Sequence, residues 1–433
     1  MKKSKFVFEV KDYPVEGGNL WFSTATGKMT VVSDELNEMI ESGTADENNK
    51  KVQNLYNMKF LVPDDFNERM WAQHIYNSVN YADKGLGITI TPSMLCNFCC
   101  IYCCEPDKNK INNMKMDTAK DIVDWVEQRL STGTINKLEV QYFGGEPTYN
   151  REVLFFLAGR IQEISQKYHV KLKNYIVTNG FFEREMIDNF LEMGINNIQL
   201  TIDGTPNSHN KRRLLLVGNQ ETFDVVYSNF LYCAENADRF EEINLRINID
   251  ESNMGEVIPL IDKVAKDTDA TKINIDLNET NWRGKTYEEY TGIRDFIVSA
   301  NRYAINLGFR YDFHQGHFDS CNFSKINNIV IGADGNVYKC LMMVNEKEFK
   351  ASYIKDYFSS FDMIKFASYE VDDSCYDCKY CPMCFGGCKA AAFVKNGSIN
   401  KKFCRKKYFE DYLEDHLKLY FESLSKNENN ASV

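Results

Sequence analysis

Long apolar runs are missing from this sequence of 433 residues. No stretch approaches the roughly 18 apolar residues that a membrane-spanning helix needs. The first residues, MKKSKFVFEVKDYP, lack the apolar core of a secretion signal, and the chain shows neither internal repeats nor low-complexity segments. These absences predict a cytoplasmic protein that has no membrane partner.

An excess of positive charge is also missing, because 51 Lys and Arg face 62 Asp and Glu and the net charge is −11. Proteins that bind nucleic acid or anionic membranes generally carry a basic surface. We therefore expect no nucleic-acid partner, although a local basic patch stays compatible with this count. The length is enough for two or three domains with their own cores.

Cysteine, in contrast, is abundant, with fourteen residues that concentrate at 96–104 and 321–404. A disulfide framework is typical of small secreted domains. Clustered cysteines in a reducing compartment are typical of metal ligands. We interpret both groups as metal ligands.

The middle of the chain alternates predicted strands with predicted helices. The strand candidates are 87–91, 138–142, 175–178, 198–202, 243–249 and 273–277. The clearest helix is 117–130, where apolar residues recur on one face. Six β/α units at this spacing predict an α/β domain over residues 87–310, a partial (β/α)6 TIM-type barrel with its active site at the carboxyl ends of the strands.

Different patterns flank the predicted barrel. Residues 1–80 show three short strands and then three helices, with Ser33 as the N-cap of the first helix, which predicts a winged-helix-like module. Residues 311–425 form the third predicted domain. Its part up to residue 404 holds eight cysteines and little regular pattern, and a helix with an apolar stripe follows.

The segment CNFCCIYCC follows the first barrel strand. Its Cys96, Cys100 and Cys103 are spaced Cys-x3-Cys-x2-Cys, and three thiolates on one loop can bind three corners of a four-iron cluster. One iron then stays open, whereas structural zinc usually takes four protein ligands. This pattern resembles the radical S-adenosylmethionine (SAM) superfamily. The resemblance implies that SAM binds the open iron and that Tyr102 contacts its adenine.

A second motif, Gly-Gly-Glu-Pro at 144–147, follows the second strand. Adjacent glycines let the backbone approach a ligand closely, although Gly and Pro also mark ordinary turns. The motif begins about 40 residues after the last cysteine of the triad and lies at a strand end. In sequence and position it resembles the SAM-binding motif of the same superfamily. The resemblance implies that Gly144, Gly145 and Glu146 contact SAM, with Glu146 accepting from its ammonium group.

Polar residues occur at the ends of three further strands. In related enzymes, side chains at these places hold the carboxylate and ribose of SAM. The resemblance carries this role over to Thr178, Asn179, Thr201, Asp203 and Arg246. Each has an ordinary alternative as a strand-end cap or a partner in a surface ion pair, and no catalytic side chain is assigned.

The C-terminal cysteines form another ordered pattern, made by Cys321, Cys340, Cys375, Cys378, Cys384, Cys388 and Cys404. It resembles the SPASM domain, an extension of many peptide-modifying radical SAM enzymes. A zinc ribbon is the alternative, since Cys-x2-Cys pairs suit zinc. The resemblance implies two auxiliary [4Fe–4S] clusters, and hence three in total with the SAM cluster. The distal one would be held by Cys375, Cys378, Cys384 and Cys404, and the proximal one by Cys321, Cys340 and Cys388.

Several cysteines and histidines stay outside these assignments. The proximal cluster lacks a fourth cysteine, and His314, His317, Cys381 or a substrate thiol are its candidates. Three further cysteines are interpreted as buried or near-cluster residues: Cys99, Cys104 and Cys233.

Residues 1–80 resemble the recognition element that binds leader peptides of ribosomally made precursors by adding them as a strand, with a structural cap as the alternative. The combined resemblance implies a maturase that installs a thioether or carbon–carbon crosslink in a precursor peptide, with flavodoxin or ferredoxin as electron donor. One alternative is an anaerobic sulfatase-maturing enzyme, which makes formylglycine. That group carries an aspartate after the second extension cysteine, where this chain has Leu341. An iron–sulfur electron carrier, a further alternative, needs no SAM pocket.

Overall fold

A computed structural model describes residues 1–82, 84–103, 113–280, 291–313, 321–344, 346–359, 361–362, 366 and 370–430. Within these residues the chain divides into two compact units. The first unit comprises the described residues 1–82, 321 and 370–421, and the second comprises the others. The predicted three-domain division at 1–80, 87–310 and 311–425 stays a prediction.

Residues 1–82 form small antiparallel sheets and three helices. The strands are β1 Lys2–Lys3, β2 Val7–Val10, β3 Gly18–Ser23, β4 Met29–Ser33 and β5 Leu61–Val62, and the helices are α1 Asp34–Glu41, α2 Lys50–Asn57 and α3 Glu68–Tyr81. Strand β3 lies between β2 and β4, while β1 pairs with β5. The Ser33 hydroxyl accepts a 3.4 Å hydrogen bond from the backbone N–H of Leu36 at the start of α1. The three predicted strands and three predicted helices are found, together with the two-residue strands β1 and β5, of which β5 lies between α2 and α3. The likeness to a winged helix stays a prediction.

The second unit is built on a nine-stranded sheet. Its parallel part consists of β6 Gly85–Ser93, β7 Lys137–Gly144, β8 Lys171–Thr178, β9 Asn197–Thr201, β10 Glu242–Ile249 and β11 Ile273–Glu279. Each strand pairs with the next along the chain. These six strands overlap the six predicted ones, and the mostly parallel α/β fold is confirmed.

Helices alternate with these parallel strands. They are α4 Met116–Ser131, α5 Arg151–Lys167, α6 Glu185–Glu192, α7 Pro206–Arg212, α8 Phe223–Glu235, α9 Met254–Asp267 and α10 Thr291–Asn306. Helix α4 buries Ala119, Ile122, Val126 and Leu130, which lie on one face because three or four residues separate them. No helix among the described residues is both long enough and apolar enough to cross a membrane.

Three short strands extend the same sheet beyond β6. They are β12 Asn328–Ile331, β13 Asn336–Tyr338 and β14 Ser352–Tyr353. Strand β12 pairs with β6 in parallel, and β13 and β14 follow in antiparallel order. The sequence shows little regular pattern here, and these three strands were not predicted. They have two to four residues each, which is too short for a visible alternation.

The first unit is completed by α11 Cys381–Cys384, α12 Lys389–Asn396 and α13 Lys406–Asn430, of which α13 continues into the second unit. Phe6, Ala72 and Tyr76 share one apolar cluster with Tyr376 and Phe385. Two hydrogen bonds join the same parts of the chain, from Lys5 Nζ to the Tyr376 carbonyl at 3.1 Å and from Thr24 Oγ1 to the Lys379 carbonyl at 2.7 Å. The N-terminal residues and the cysteine-bearing segment therefore form one packed body.

Candidate active site

The first cysteine motif lies on residues 96–103, the cluster loop, which follows β6 at the carboxyl edge of the parallel sheet. Cys96, Cys100 and Cys103 are partly exposed and form no disulfide. Residues 212–216, the strap, run beside the loop and exchange backbone hydrogen bonds with it. These join Cys99 N–H to Leu214 C=O at 2.9 Å, Ile101 N–H to Arg212 C=O at 3.1 Å and Leu216 N–H to Asn97 C=O at 2.7 Å. The strap therefore holds the loop along its length.

Two N–H groups point at the sulfur of Cys96. The backbone N–H of Phe98 lies 3.3 Å from Cys96 Sγ, and the Asn179 side-chain amide lies 3.8 Å from it. The same amide donates to Asn97 Oδ1 at 2.7 Å. Hydrogen bonds to ligand sulfurs tune iron–sulfur clusters. Asn179, predicted as a SAM residue, thus lies beside a predicted cluster ligand.

Gly144 and Gly145 bring the end of β7 against the segment that follows β6. A Cβ on Gly144 would overlap the carbonyl oxygen of Ser93, and one on Gly145 would overlap those of Met94 and Leu95. Gly144 also has a φ of 136°, which favours glycine. The sequence predicts that the backbone at these glycines lies close to a ligand. In the structure it lies close to the backbone of residues 93–95. A contact of these glycines with SAM stays a prediction.

The Glu146 side chain is buried and accepts four hydrogen bonds. Thr148 supplies its backbone N–H at 3.1 Å and its hydroxyl at 2.8 Å, Thr178 its hydroxyl at 2.9 Å and Asn179 its backbone N–H at 2.7 Å. Three of these bonds end on Oε1 and one ends on Oε2. Burial raises the pKa of Glu146, and the hydrogen bonds oppose that shift. Glu146 therefore ties together the ends of β7 and β8.

Tyr102, the aromatic residue of the cysteine motif, is held by polar partners from two strand ends and the strap. Its hydroxyl donates to the buried carboxylate of Asp203 and accepts from Arg213 Nη1 at 2.6 Å. Asn248 Nδ2 lies 3.3 Å from the same hydroxyl, and the Asn248 N–H donates to Asp203 at 2.8 Å. The Arg212 guanidinium lies 5.0 Å from the Tyr102 ring centroid. This network orients the loop between Cys100 and Cys103.

Arg213 brings a buried positive charge to the cluster loop. Burial alone would lower the pKa of Arg213, but Tyr102, Cys100 and Asp203 raise it above its usual value. Burial raises the pKa of Tyr102 well above its usual value, and Arg213 opposes that shift. Arg213 was not predicted from the sequence. The basic triplet at 211–213, shortly after a strand end, was the available signal.

Arg246 and Thr201 are cross-strand partners on β10 and β9. The guanidinium of Arg246 pairs with Asp276 on β11 and donates to Asn248 Oδ1 at 3.1 Å. Thr201 is buried. Thr201 is the last residue of β9, whereas Arg246 lies in the middle of β10. The contact of both residues with SAM stays a prediction.

The four cysteines predicted for the distal cluster are electrostatic neighbours in the first unit. Burial and then Cys384 raise the pKa of Cys375 to about 11, and Cys404 acts in the same direction. Burial raises the pKa of Cys384, with Cys378 and Cys404 adding to the shift. The N–H of Phe403 donates to the Gly386 carbonyl at 2.9 Å, which holds the residue before Cys404 beside the Cys384–Cys388 turn.

Of the cysteines predicted for the proximal cluster, Cys321 and Cys388 belong to the first unit and Cys340 to the second. Burial and then Cys321 raise the pKa of Cys388, while the backbone N–H groups of Ala390 and Ala391 lower it. His314 and His317, two candidates for the fourth ligand, lie outside the described residues.

Cys381, the third candidate, is 2% exposed and packs in the apolar cluster with Phe6 and Tyr76. Cys233 is fully buried on α8. Cys99 lies beside the strap, with its sulfur 3.5 Å from the Leu214 carbonyl oxygen. Cys104 lies outside the described residues.

Among the described residues, no group of three or more His, Cys, Asp or Glu side chains is arranged to hold a metal ion, so the cluster assignments rest on the sequence pattern. Three cysteines on one loop, N–H groups directed at the sulfur of Cys96 and the buried guanidinium of Arg213 are compatible with a [4Fe–4S] cluster with SAM on its open iron. Cys375 and Cys384 are partly exposed, and metal binding would release the protons of their thiols.

Residues 90–258 match the family model of the Radical SAM superfamily. The cluster loop, the Gly-Gly-Glu motif and Arg246 all fall inside this range. A cysteine-type anaerobic sulfatase-maturating enzyme of Clostridium perfringens is 24% identical over 362 residues, which are 75% of this chain and 95% of that protein.

Two solved structures are similar in fold. Native anSMEcpe with bound AdoMet has a TM-score of 0.56 at 20% identity, over 80% of this chain and 100% of that one. Streptococcus suis SuiB bound to precursor peptide SuiA has a TM-score of 0.52 at 14% identity, over 93% of this chain and 98% of that one. The chain is therefore similar in fold to both structures.

Proposed function

We propose that this chain, whose residues 90–258 form a radical SAM domain, is a maturase that removes a hydrogen atom from a ribosomally made precursor peptide and installs an intramolecular crosslink. The bond would be a thioether or a carbon–carbon bond. The observation that carries the proposal is a three-stranded sheet with an open edge in the same unit as the C-terminal cysteines. The fold likeness to peptide-bound SuiB, which extends over more of the chain than the likeness to anSMEcpe, supports it.

Strand β4 is the edge that we assign to the leader peptide. Among the described residues it pairs only with β3. Backbone bonds at both ends of this hairpin, Ser23 N–H to Lys28 C=O and Asp34 N–H to Gly17 C=O, set the alternation of an antiparallel ladder. By that alternation the N–H and C=O of Val31 face away from β3, and its side chain is 43% exposed. Such an edge suits the addition of an extended peptide.

SAM and its four-iron cluster, when bound, supply a 5′-deoxyadenosyl radical that takes a hydrogen atom from the substrate. Cys96, Cys100 and Cys103 would hold the cluster. The remaining SAM pocket would comprise Tyr102, Gly144, Gly145, Glu146, Thr178, Asn179, Thr201, Asp203 and Arg246. We add Arg213, because a buried guanidinium suits the carboxylate of SAM, and we assign to Glu146 the role of positioning the strand ends.

The C-terminal cysteines would hold two auxiliary [4Fe–4S] clusters. The mutual influence of Cys375, Cys384 and Cys404 supports the distal set, and that of Cys321 and Cys388 supports part of the proximal set. An external one-electron donor, flavodoxin or ferredoxin, would reduce the protein. The burial of Cys381 among aromatic side chains favours a core role over the fourth ligand position.

Formylglycine formation is the second candidate function, and the likeness to the sulfatase-maturating enzyme of C. perfringens favours it. That group carries an aspartate after the second extension cysteine as its presumed base. Here Leu341 takes that position and begins the turn Leu341–Met343. An apolar side chain cannot accept a proton, so this position favours the crosslink.

The test is anaerobic incubation with SAM, a reductant and a candidate precursor peptide, read by mass spectrometry. A crosslink makes the peptide lighter by two hydrogen atoms. Formylglycine from cysteine instead exchanges sulfur and two hydrogens for one oxygen, and this product would establish the second function. Precursors with single Cys→Ser replacements separate the two crosslinks, because only a thioether requires the sulfur.

A further inference from the structure

Two of the cysteines predicted for the distal cluster, Cys375 and Cys378, lie on one short segment of the first unit. This segment, residues 373–379, is named the cysteine segment and begins with the 3₁₀ turn Asp373–Asp377. The hydrogen bonds of a 3₁₀ turn have poorer geometry than those of an α-helix. Contacts from other parts of the chain therefore contribute to the position of the segment.

The first of these contacts is apolar. Phe6 and Trp71, from the N-terminal residues, pack in the same apolar cluster as Cys375 and Tyr376. Phe6 is fully buried, and its ring meets that of Trp71 edge to face at 5.6 Å. Aromatic side chains bury a large area and pair with a defined geometry, so this cluster fixes the part of the segment around Cys375.

The second kind of contact is polar and comes from three N-terminal side chains. Lys5 Nζ donates to the Tyr376 carbonyl at 3.1 Å, Thr24 Oγ1 donates to the Lys379 carbonyl at 2.7 Å, and Arg69 pairs with the carboxylates of Asp373 and Asp377. The three side chains thus reach the beginning, the middle and the end of the cysteine segment.

These polar contacts differ in their exposure to water. The side chains of Asp373 and Asp377 are 85% and 68% exposed, and ion pairs at such places contribute little to stability. Thr24 is 5% exposed, so water competes little with its hydrogen bond. The Phe6 carbonyl lies 3.1 Å from the same hydroxyl, which is farther than the Lys379 carbonyl. The bond from Thr24 is therefore the polar contact that holds the segment most firmly.

We propose that Thr24 is a positioning residue for Cys375 and Cys378, so that the N-terminal residues serve the auxiliary ligand site as well as leader recognition. Thr24 directly follows β3, and its bond ends on the residue after Cys378. Thr24 acts through the backbone of the cysteine segment. Ligands that are held in place before a metal arrives lose less conformational freedom when they bind it.

Two substitutions at position 24 separate the hydroxyl from packing. Thr24→Val removes the hydroxyl and keeps the shape, while Thr24→Ser keeps the hydroxyl. Thr44→Val is the matched control, because Thr44 is an exposed threonine of the N-terminal residues. Hydrogen exchange of the metal-free, full-length proteins is followed by mass spectrometry, with the cluster loop as the internal reference. Each protein is then reconstituted anaerobically and its iron is counted.

We expect the cysteine segment of Thr24→Val to exchange about two- to tenfold faster than that of the wild type, which is the effect of one lost hydrogen bond. The cluster loop should keep its rate, and reconstituted Thr24→Val should hold less iron than the wild type. Thr24→Ser and Thr44→Val should match the wild type in both measurements.

An unchanged exchange rate of the cysteine segment in Thr24→Val would overturn the inference. Equal acceleration in the cluster loop would also overturn it, since the hydroxyl would then stabilise the chain as a whole, and so would full iron content in Thr24→Val. The iron measurement rests on the auxiliary clusters of the proposed function, whereas the exchange measurement does not. Wild-type protein with the iron of a single cluster would refute those clusters, and the exchange rates would still decide whether Thr24 positions the segment.

Discussion

The carboxylate of Glu146 accepts a 2.7 Å hydrogen bond from the backbone N–H of Asn179. This bond joins the end of β7 to the end of β8, and the Asn179 side chain continues to the sulfur of Cys96 at 3.8 Å. A buried acid thus positions two strand ends and, through one of them, a predicted cluster ligand. The acidic residue that follows the two glycines therefore has a structural role, because its oxygens accept hydrogen bonds from other residues of this chain.

Glu146→Gln is expected to lower the free energy of unfolding by about 1–3 kcal/mol, because a buried NH2 group would face donors that now bond to oxygen. The measurement is urea unfolding of the variant beside the wild type. Glu152→Gln, at an exposed position on α5, is the control and should match the wild type. Equal stability of Glu146→Gln and the wild type would show that the carboxylate is not a fourfold acceptor.

Replacing Cys96, Cys100 and Cys103 together by Ala is expected to remove one of three clusters. Iron should fall from roughly twelve to roughly eight atoms per chain if all clusters contain four irons, and 5′-deoxyadenosine should no longer form. Iron analysis and chromatography of the SAM products measure both. Normal 5′-deoxyadenosine formation by the variant would refute the assignment of these cysteines.

Val31→Pro is expected to weaken leader binding at least about tenfold, since proline removes one outward N–H from the β4 edge and leaves the ladder to β3 intact. Fluorescence anisotropy with a labelled leader peptide measures the affinity for the full chain. Val31→Thr keeps the N–H and should bind like the wild type. SAM cleavage without peptide should be unaffected in both variants. Wild-type affinity of Val31→Pro would exclude this edge as the docking strand.

Cys381→Ala is expected to keep the full iron content and to lose about 1 kcal/mol of stability, because the sulfur fills space in an apolar cluster. Cys388→Ala, in the same segment, should lose auxiliary iron. Iron analysis and urea unfolding of the two variants give the comparison. Iron loss in Cys381→Ala would make this residue a ligand after all.

His209 predicts a loss of stability in mild acid. Its ring is buried, its Nδ1 lies 3.3 Å from the Asp203 N–H, and burial followed by Arg213 and Arg212 lowers its pKa well below 6.5. The unfolded chain therefore binds a proton near pH 6.5 that the folded chain binds only at lower pH, and stability present above pH 6.5 falls below it.

The expected slope from His209 is up to about 1.4 kcal/mol per pH unit, measured as the free energy of unfolding of the wild type minus that of His209→Gln between pH 7 and pH 5.5. His74→Gln, at an exposed position on α3, should leave the slope unchanged. A difference that is constant with pH would mean that His209 titrates normally in the folded protein.

The six parallel strands were predictable because alternation and apolar runs are local properties, and each strand of β6–β11 carries its own pattern. The spacing of Cys96, Cys100 and Cys103 likewise belongs to one short loop, so the sequence alone determined that these three cysteines share the cluster loop. The N-cap at Ser33 was predictable for the same reason, since its hydrogen-bond partner Leu36 lies only three residues further along the chain.

Contacts between distant residues were decided only by the tertiary structure. The oxygens of Glu146 accept hydrogen bonds from Thr178 and Asn179, more than thirty residues later in the chain. The Tyr102 hydroxyl accepts a hydrogen bond from Arg213 of the strap. Cys381 is core and not surface because Phe6, at the other end of the chain, packs on it. Thr24 bonds to the Lys379 carbonyl for the same reason: the free energy of a side chain depends on what the whole fold places around it, and no local spacing contains that information.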